Sequence, residues 1–172
     1  DEDDEEIPKP LPYGKIKKAE PICINIEETA PTNWNFLLAD TTYHSIHSVL
    51  NVWDQDEDIT STSTWSVDLD TGIFTIADAD IGDPTDISIT FNGFKDDDGN
   101  LITNAMDVIK DLMLYYGDTS FISTNFNLAL WNLARANAKN IGIFIDDDVD
   151  LIDVIGEIIS STHGLFYAQI DG

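Results

Sequence analysis

The stretch NAMDVIKDLMLYYGD, residues 104–118, carries the clearest helical pattern in the chain. Its apolar side chains recur every three or four residues, which is the spacing of one face of an α-helix. They are Ala105, Val108, Ile109, Leu112, Met113 and Tyr116. Asn104 is placed to cap the amino end, and Gly117 is placed to follow the carboxyl end. The stretch therefore predicts a helix with one buried face, and that face must pack against something.

The residues after this helix predict a helix, a strand, a helix and a strand, in that order. The four segments are 124–138, 141–145, 150–164 and 165–170. The run IGIFI is continuous and apolar, as in a buried strand. In the third helix Asp150 is the expected cap and Gly164 the expected stop. We expect residues 101–172 to form an α/β domain.

The residues before the first helix predict strands. In STWSVDLDTGIFTIAD, residues 63–78, two alternating segments flank Asp-Thr-Gly, which predicts a β-hairpin. DISITFNGF, residues 86–94, also alternates, and HSIHSVLNVWD supplies Ile46, Val49 and Val52 as core candidates. We expect a β-rich domain at 13–100, preceded by an acidic, proline-rich tail or linker at 1–12. The fold class is α+β, a β-rich part with hairpins followed by helix-helix-strand-helix-strand.

The charge of the chain is strongly negative. It has 33 acidic and 8 basic residues, which gives a net charge of −25. Binding of a nucleic-acid backbone is disfavoured, because it relies on Lys and Arg to neutralise phosphates. Anionic membrane surfaces are disfavoured for the same reason, and no apolar run is long enough to predict a membrane span. The negative charge has three possible reasons: it keeps the protein soluble, it binds cations, or it lines a passage to which anions do not adhere.

Acidic turns raise the question of a metal site. Asp96, Asp98 and Asn100 in KDDDGN, residues 95–100, are the best-placed Ca²⁺ candidates, although the spacing does not match an EF-hand loop. A solvated turn is the simpler interpretation. His44 and His47 lie three apart in a predicted strand, so they point to opposite faces and do not predict a zinc site.

No pattern of catalytic residues stands out. No Gly-x-Ser-x-Gly motif or glycine-rich phosphate loop is present. The single cysteine, Cys23, lies in an apolar run and is typical of a small core residue. The four tryptophans fit core or interface positions, with an exposed sugar platform as the alternative. We therefore expect no enzyme and no cofactor.

The order of these segments resembles tail-tip and baseplate-hub proteins of tailed bacteriophages and prophages. The similar segments are PLPYGKIKKAEPICIN, DLDTGIFTIAD, TNAMDVIKDLMLYYGD and the stretch IGIFIDDDVDLIDVIGEIISSTHGLFYAQIDG. The last of these segments ends at the turn that would follow the first strand of a hairpin. A further strand is therefore expected to follow it.

The resemblance implies a structural subunit of the virion tail. Such subunits form symmetric rings with other tail proteins, between the tail tube and distal fibres or receptor-binding parts. DNA passes through their lumen without being bound, which a negative wall would favour. The alternative is a receptor- or glycan-binding module of a virion or cell surface. The residues expected at subunit contacts are Pro10, Tyr13, Gly14, Lys15, Lys17 and Lys18 in a docking strand, and Val108, Leu112 and Tyr116 on the first helix.

Overall fold

The structure, a computed structural model, describes residues 9–117, 128–146 and 149–162. The α+β class is confirmed, because strands dominate residues 11–94 and helices dominate the described residues after them. The chain divides into two compact units. The first unit contains the described residues of 9–102 and 142–146, and the second contains those of 103–141 and 149–162.

The strands among the described residues belong to the first unit and pair antiparallel. They are β1 (Leu11–Tyr13), β2 (Lys15–Ala19), β3 (Ile22–Cys23), β4 (Asn33–Leu37), β5 (Ile46–Asp54), β6 (Glu57–Asp58), β7 (Trp65–Asp68), β8 (Ile73–Ala77), β9 (Ile87–Phe94) and β10 (Ile143–Ile145). One sheet has the order β2-β9-β5-β6, a second has the order β3-β4-β8-β7, and β1 pairs with β10.

The predicted hairpin is confirmed as β7 and β8. Trp65 lies opposite Ile76, and Gly72 in the turn has a φ of 70°, a conformation that glycine adopts without strain. Phe74 and Ile76 are fully buried, and the Phe74 ring centre lies 5.7 Å from that of Trp65. The inward-facing residues of this hairpin therefore form part of the core of the first unit.

β9 is more deeply buried than its alternating sequence predicts. It lies between β2 and β5, and Ser88 and Thr90 are buried as well as Ile89. The Thr90 hydroxyl accepts hydrogen bonds from the backbone N–H of Lys18 at 3.2 Å and from the indole of Trp53 at 3.3 Å. A polar side chain can be buried at this position because its hydrogen-bonding groups find partners within the protein.

The amino-terminal tail ends earlier than expected, because Leu11 and Pro12 lie in β1. Pro12 is opposite Phe144 of β10, and Pro10 is buried. Proline suits a strand at a sheet edge, where its missing N–H costs no hydrogen bond. The run IGIFI does form the predicted strand at 143–145, but its three residues are half-buried, and its pairing partner is at residues 11–13 rather than in the C-terminal part.

The second unit contains α1 (Ala105–Tyr115), α2 (Leu128–Asn137) and α3 (Leu151–Ser161). Asn104 caps α1 as predicted, with its side-chain oxygen accepting the N–H of Met106 at 3.0 Å. Asp150 caps α3 in the same way, at 2.9 Å from the N–H of Ile152. The start of the predicted second helix, the stop at Gly164 and the closing strand 165–170 lie outside the described residues.

Gly117 follows the end of α1 as predicted, but its role is steric. It is not among the glycines with a positive φ. A Cβ atom at this position would lie 2.7 Å from the carbonyl oxygen of Met113. A side chain at this position would therefore clash with the last turn of the helix unless the backbone shifted, and glycine avoids the clash.

Candidate functional site

The predicted docking segment is divided between buried and exposed residues. Pro10, Tyr13 and Gly14 are buried within the first unit. The Tyr13 ring meets the ring of Phe94 edge-on at 5.2 Å between centres. The N–H of Gly14 donates to the carbonyl of Ile102 at 2.9 Å. The chain itself covers these residues, and a contact with another subunit stays a prediction.

The three lysines of the segment, Lys15, Lys17 and Lys18, are exposed along β2. The pairing of β2 with β9 is irregular between Ile16 and Ala19, so two residues oppose one on β9. Lys18 has a φ of 48°, which is unusual for a residue with a side chain. A lysine-bearing, bulged edge resists the addition of another strand. This geometry argues against docking by simple strand addition at β2.

Lys18 lies over the indole ring of Trp53. Its Nζ is 4.3 Å from the ring centre and 3.1 Å from a carboxylate oxygen of Asp56. Water screens the exposed ion pair, which therefore contributes little, and the cation–π contact contributes about 0.5–1 kcal/mol. The arrangement occupies one face of Trp53 with a side chain of the protein itself, so that face is not open to a sugar ring.

The other tryptophans also favour the core interpretation. Trp34 is buried and donates its indole N–H to Asp78 at 2.8 Å. Trp65 is half-buried and donates to the carbonyl of Thr60 at 2.9 Å, and Trp131 is buried. An indole N–H that is satisfied inside the protein is typical of a packed tryptophan. None of the four matches the exposed platform that the glycan-binding alternative requires.

Many of the acidic side chains hold local turns. Three segments share the pattern Asp-x-Thr, in which the carboxylate accepts hydrogen bonds from the backbone N–H and the hydroxyl of the threonine. They are Asp40–Thr42, Asp58–Thr60 and Asp83–Thr85, with donor–acceptor distances between 2.5 and 3.0 Å. The threonine hydroxyl and then its N–H lower the pKa of Asp58 and of Asp83.

The predicted Ca²⁺ candidates form a turn of the same kind. The carboxylate of Asp96 accepts the N–H of Asn100 at 2.7 Å and the N–H of Asp98 at 3.0 Å. The Asn100 hydrogen bond is the main reason why the pKa of Asp96 is lowered. Gly99 in this turn has a φ of 82°. The carboxylate of Asp96 is thus directed at the backbone of its own loop, as in the solvated turn that the sequence favoured over a Ca²⁺ site.

The described part of the chain contains no group of three or more His, Cys, Asp or Glu side chains arranged to hold a metal ion. His44 is buried, with its ring centre 5.5 Å from that of Phe94. His47 lies in β5, with Nδ1 2.9 Å from the hydroxyl of Ser48. Burial raises the pKa of Cys23, which makes its thiol a poor nucleophile.

The predicted face of α1 is covered within the second unit. Val108 and Leu112 are fully buried, Tyr116 is half-buried, and α1 packs against both α2 and α3. Asp107 of α1 forms an ion pair with Arg135 of α2, which raises the pKa of the arginine. The chain therefore supplies the packing that this face requires, and an additional contact with another subunit stays a prediction.

α2 carries exposed leucines that the sequence did not single out. Within this helix only Trp131 is buried, whereas Leu128, Leu130 and Leu133 are 59%, 64% and 63% exposed. Leu130 and Leu133 are three residues apart and share one side of the helix, whereas Leu128 lies on the side of Trp131. We call Leu130 and Leu133 the leucine surface. Single exposed apolar residues are common on soluble proteins, whereas neighbouring ones form the kind of surface that partners bind. The leucine surface is the strongest candidate for a functional site among the described residues, and it is suited to binding rather than to catalysis.

Comparisons with known proteins give no relative: no family model, no curated protein and no solved structure matches this chain. Among the described residues, no helix has both the length and the apolar character that crossing a membrane requires.

Proposed function

We propose that this protein is a non-catalytic structural subunit of a bacteriophage tail tip or baseplate hub. In this role it forms a symmetric ring that joins the tail tube to distal fibres or receptor-binding parts. The resemblance in the order of sequence segments supports an assembly of this kind, and the leucine surface supports a role in binding other proteins.

The leucine surface carries the proposal because of its setting. The chain bears 33 acidic residues and a net charge of −25, so an isolated molecule has ample means to stay soluble. Exposed leucines work against solubility, and their presence is explained if a partner covers them. In a subunit that is held permanently in an assembly, a neighbouring protein covers these leucines.

The acidic surface supports the same role. DNA that leaves a phage head must slide past the tip without adhering, and carboxylates repel phosphates. The Asp-x-Thr turns keep Asp40, Asp58 and Asp83 on their own loops, so these charges are fixed in place rather than gathered into a binding site.

The experiment is electron microscopy of the purified full chain together with native mass spectrometry. We expect closed rings of one size and a matching mass. Immunogold labelling of the tailed particles expected to carry this protein should place it at the distal end of the tail. A chain that is monomeric at every soluble concentration, binds a glycan array and is absent from tailed particles would replace this proposal with the receptor- or glycan-binding module.

A further inference from the structure

Two dipeptides in the described part of the chain place a side-chain carbonyl carbon next to a glycine nitrogen. They are Asn92-Gly93 in β9 and Asp98-Gly99 in the turn that follows it. In such a pair the glycine nitrogen can attack the side-chain carbonyl carbon and close a five-membered imide ring. Glycine favours this step, because it has no side chain to hinder the approach and its backbone rearranges easily. Whether the ring closes at either site depends on how freely the folded backbone can move there.

In an unfolded chain at neutral pH, the asparagine site is expected to react first. An amide loses its nitrogen as ammonia. A carboxyl group is ionised at this pH and must be protonated before it can lose an oxygen as water. The sequence alone therefore points to Asn92 as the main site of change.

The fold holds Asn92-Gly93 in place. β9 lies between β2 and β5, with Asn92 opposite Lys15 on one side and Ser48 on the other. The side-chain nitrogen of Asn92 donates to the hydroxyl of Ser48 at 3.0 Å, and the N–H of Gly93 donates to the carbonyl of Gly14 at 2.8 Å. Closing the ring requires these strands to separate, which costs a large share of the free energy of unfolding.

Asp98-Gly99 is open by comparison. Both residues are exposed, and a Cβ at Gly99 would meet nothing within 4 Å. The N–H of Gly99 donates only within its own turn, to the carbonyl of Asp96 at 2.9 Å. Among the described residues, the carboxylate of Asp98 has no hydrogen-bond partner, so it can turn toward the nitrogen of Gly99. Opening an exposed turn costs little free energy.

We infer that Asp98 is a site of spontaneous isomerisation in the folded protein, whereas the fold protects Asn92. The nitrogen of Gly99 bonds to the side-chain carboxyl carbon of Asp98, and one carboxyl oxygen leaves as water with the N–H proton and the carboxyl proton. Water then adds to the main-chain carbonyl carbon of Asp98 and breaks its bond to the Gly99 nitrogen, which takes up a proton. The product is an isoaspartyl residue of unchanged mass, whose main chain runs through the former side chain.

The modification would disrupt the turn locally. The carboxylate of Asp96 accepts the N–H of Asp98 at 3.0 Å and the N–H of Asn100 at 2.7 Å. An isoaspartyl residue adds one methylene to the main chain between these two donors, so the two hydrogen bonds are not retained together. This inference goes beyond the proposed function and does not depend on it, because ring assembly plays no part in the reaction.

The test is prolonged incubation of the full chain at one pH and temperature, folded in buffer and unfolded in guanidinium chloride. Peptide mass spectrometry with electron-transfer fragmentation distinguishes isoaspartate from aspartate at each position, and a gain in mass reports deamidation of Asn92. In the folded protein, isoaspartate should accumulate at position 98 within about tenfold of the rate in the unfolded chain. Folding should slow the deamidation of Asn92 by on the order of a hundredfold or more.

Two controls separate this reaction from general damage. Asp97 lies in the same exposed turn but is followed by Asp98 instead of glycine, so it should remain aspartate. Asp98→Glu keeps the charge but would need a six-membered ring, so the second, isomeric form of this peptide should disappear. Circular dichroism establishes that the variant is folded.

The inference is overturned if the folded protein gains no isoaspartate at position 98 while the unfolded chain is converted. Equal modification of Asp97 and Asp98 would also overturn it, because the glycine would then have no role. Deamidation of Asn92 at the same rate in the folded and unfolded chains would remove the protection assigned to β9. None of these outcomes bears on whether the protein forms rings.

Discussion

α1 and α2 are helices of 11 and 10 residues in the same unit, and both have several large apolar side chains. α1 buries five of its residues, whereas α2 buries Trp131 alone. The difference shows that apolar composition does not by itself define a core. Neighbouring elements of the same chain determine whether a leucine is structural or is available for a partner.

The largest expected effect compares one leucine from each helix. Leu112 is fully buried and Leu133 is mostly exposed. Leu112→Ala should reduce the free energy of unfolding by about 2–5 kcal/mol, because it leaves a cavity. Leu133→Ala should change the free energy of unfolding of the monomer by no more than about 0.5 kcal/mol. Urea unfolding at a concentration that favours the monomer measures both, and equal effects would contradict the distinction between the helices.

A second comparison uses glycines in covered and open positions. A Cβ at Gly93 of β9 would lie 2.3 Å from the carbonyl oxygen of Pro12, whereas a Cβ at Gly156 of α3 would meet nothing within 4 Å. Gly93→Ala should destabilise the protein by about 1–3 kcal/mol through strain. Gly156→Ala should stabilise it by up to about 1 kcal/mol, since alanine favours the helix. Thermal unfolding gives the sign of each change, and the same sign for both would be inconsistent with these packing environments.

The ion pair between α1 and α2 should contribute less. Arg135 and Asp107 are both partly exposed to solvent. Arg135→Gln should cost about 0.2–1 kcal/mol at low salt, and less as salt screens the pair. Urea unfolding at two salt concentrations measures this change, with Lys139→Gln as a control for the loss of one positive charge. A cost that does not depend on salt would assign the role of Arg135 to packing instead of charge.

The smallest effect concerns pH and the Asp-x-Thr turns. The pKa of Asp83 is lowered in the folded protein from its ordinary value of 3.8 by the hydroxyl and N–H of Thr85. Its contribution to stability is therefore present above that ordinary value and is lost as the pH falls through the lower folded value. Asp83→Asn should be less stable than wild type at neutral pH, and the gap should close as the medium becomes strongly acidic. A gap of constant size across this range would contradict the linkage.

Local patterns predicted the parts of the fold that depend on neighbours in sequence. The spacing of Val108 and Leu112 gives the buried face of α1, and Asp-Thr-Gly gives the hairpin of β7 and β8. Asn104 and Asp150 were identifiable as caps because a cap bonds to a backbone group only two residues away. The caps and the hairpin turn depend on interactions between residues close in sequence, so a short stretch contains the information that specifies them.

Long-range pairing could not be derived in this way. Nothing within 143–145 indicates that β10 pairs with residues 11–13, and the alternation in β9 does not reveal that both faces are covered. The exposure of Leu130 and Leu133 was missed for a related reason, since helical spacing does not tell which sides of a helix have neighbours. The absence of acidic residues from 119 to 145 was the available signal, and it would have singled out α2 in so acidic a chain.

The pairing of β1 with β10 sets an order for events during synthesis. β1 leaves the ribosome long before residues 143–145, so its edge is unpaired while more than a hundred intervening residues, including α1 and α2, are made. Closing a loop of this size slows folding. The nascent chain completes the first unit only after residues 143–145 have emerged, and termination anywhere before β10 leaves that edge open to other chains.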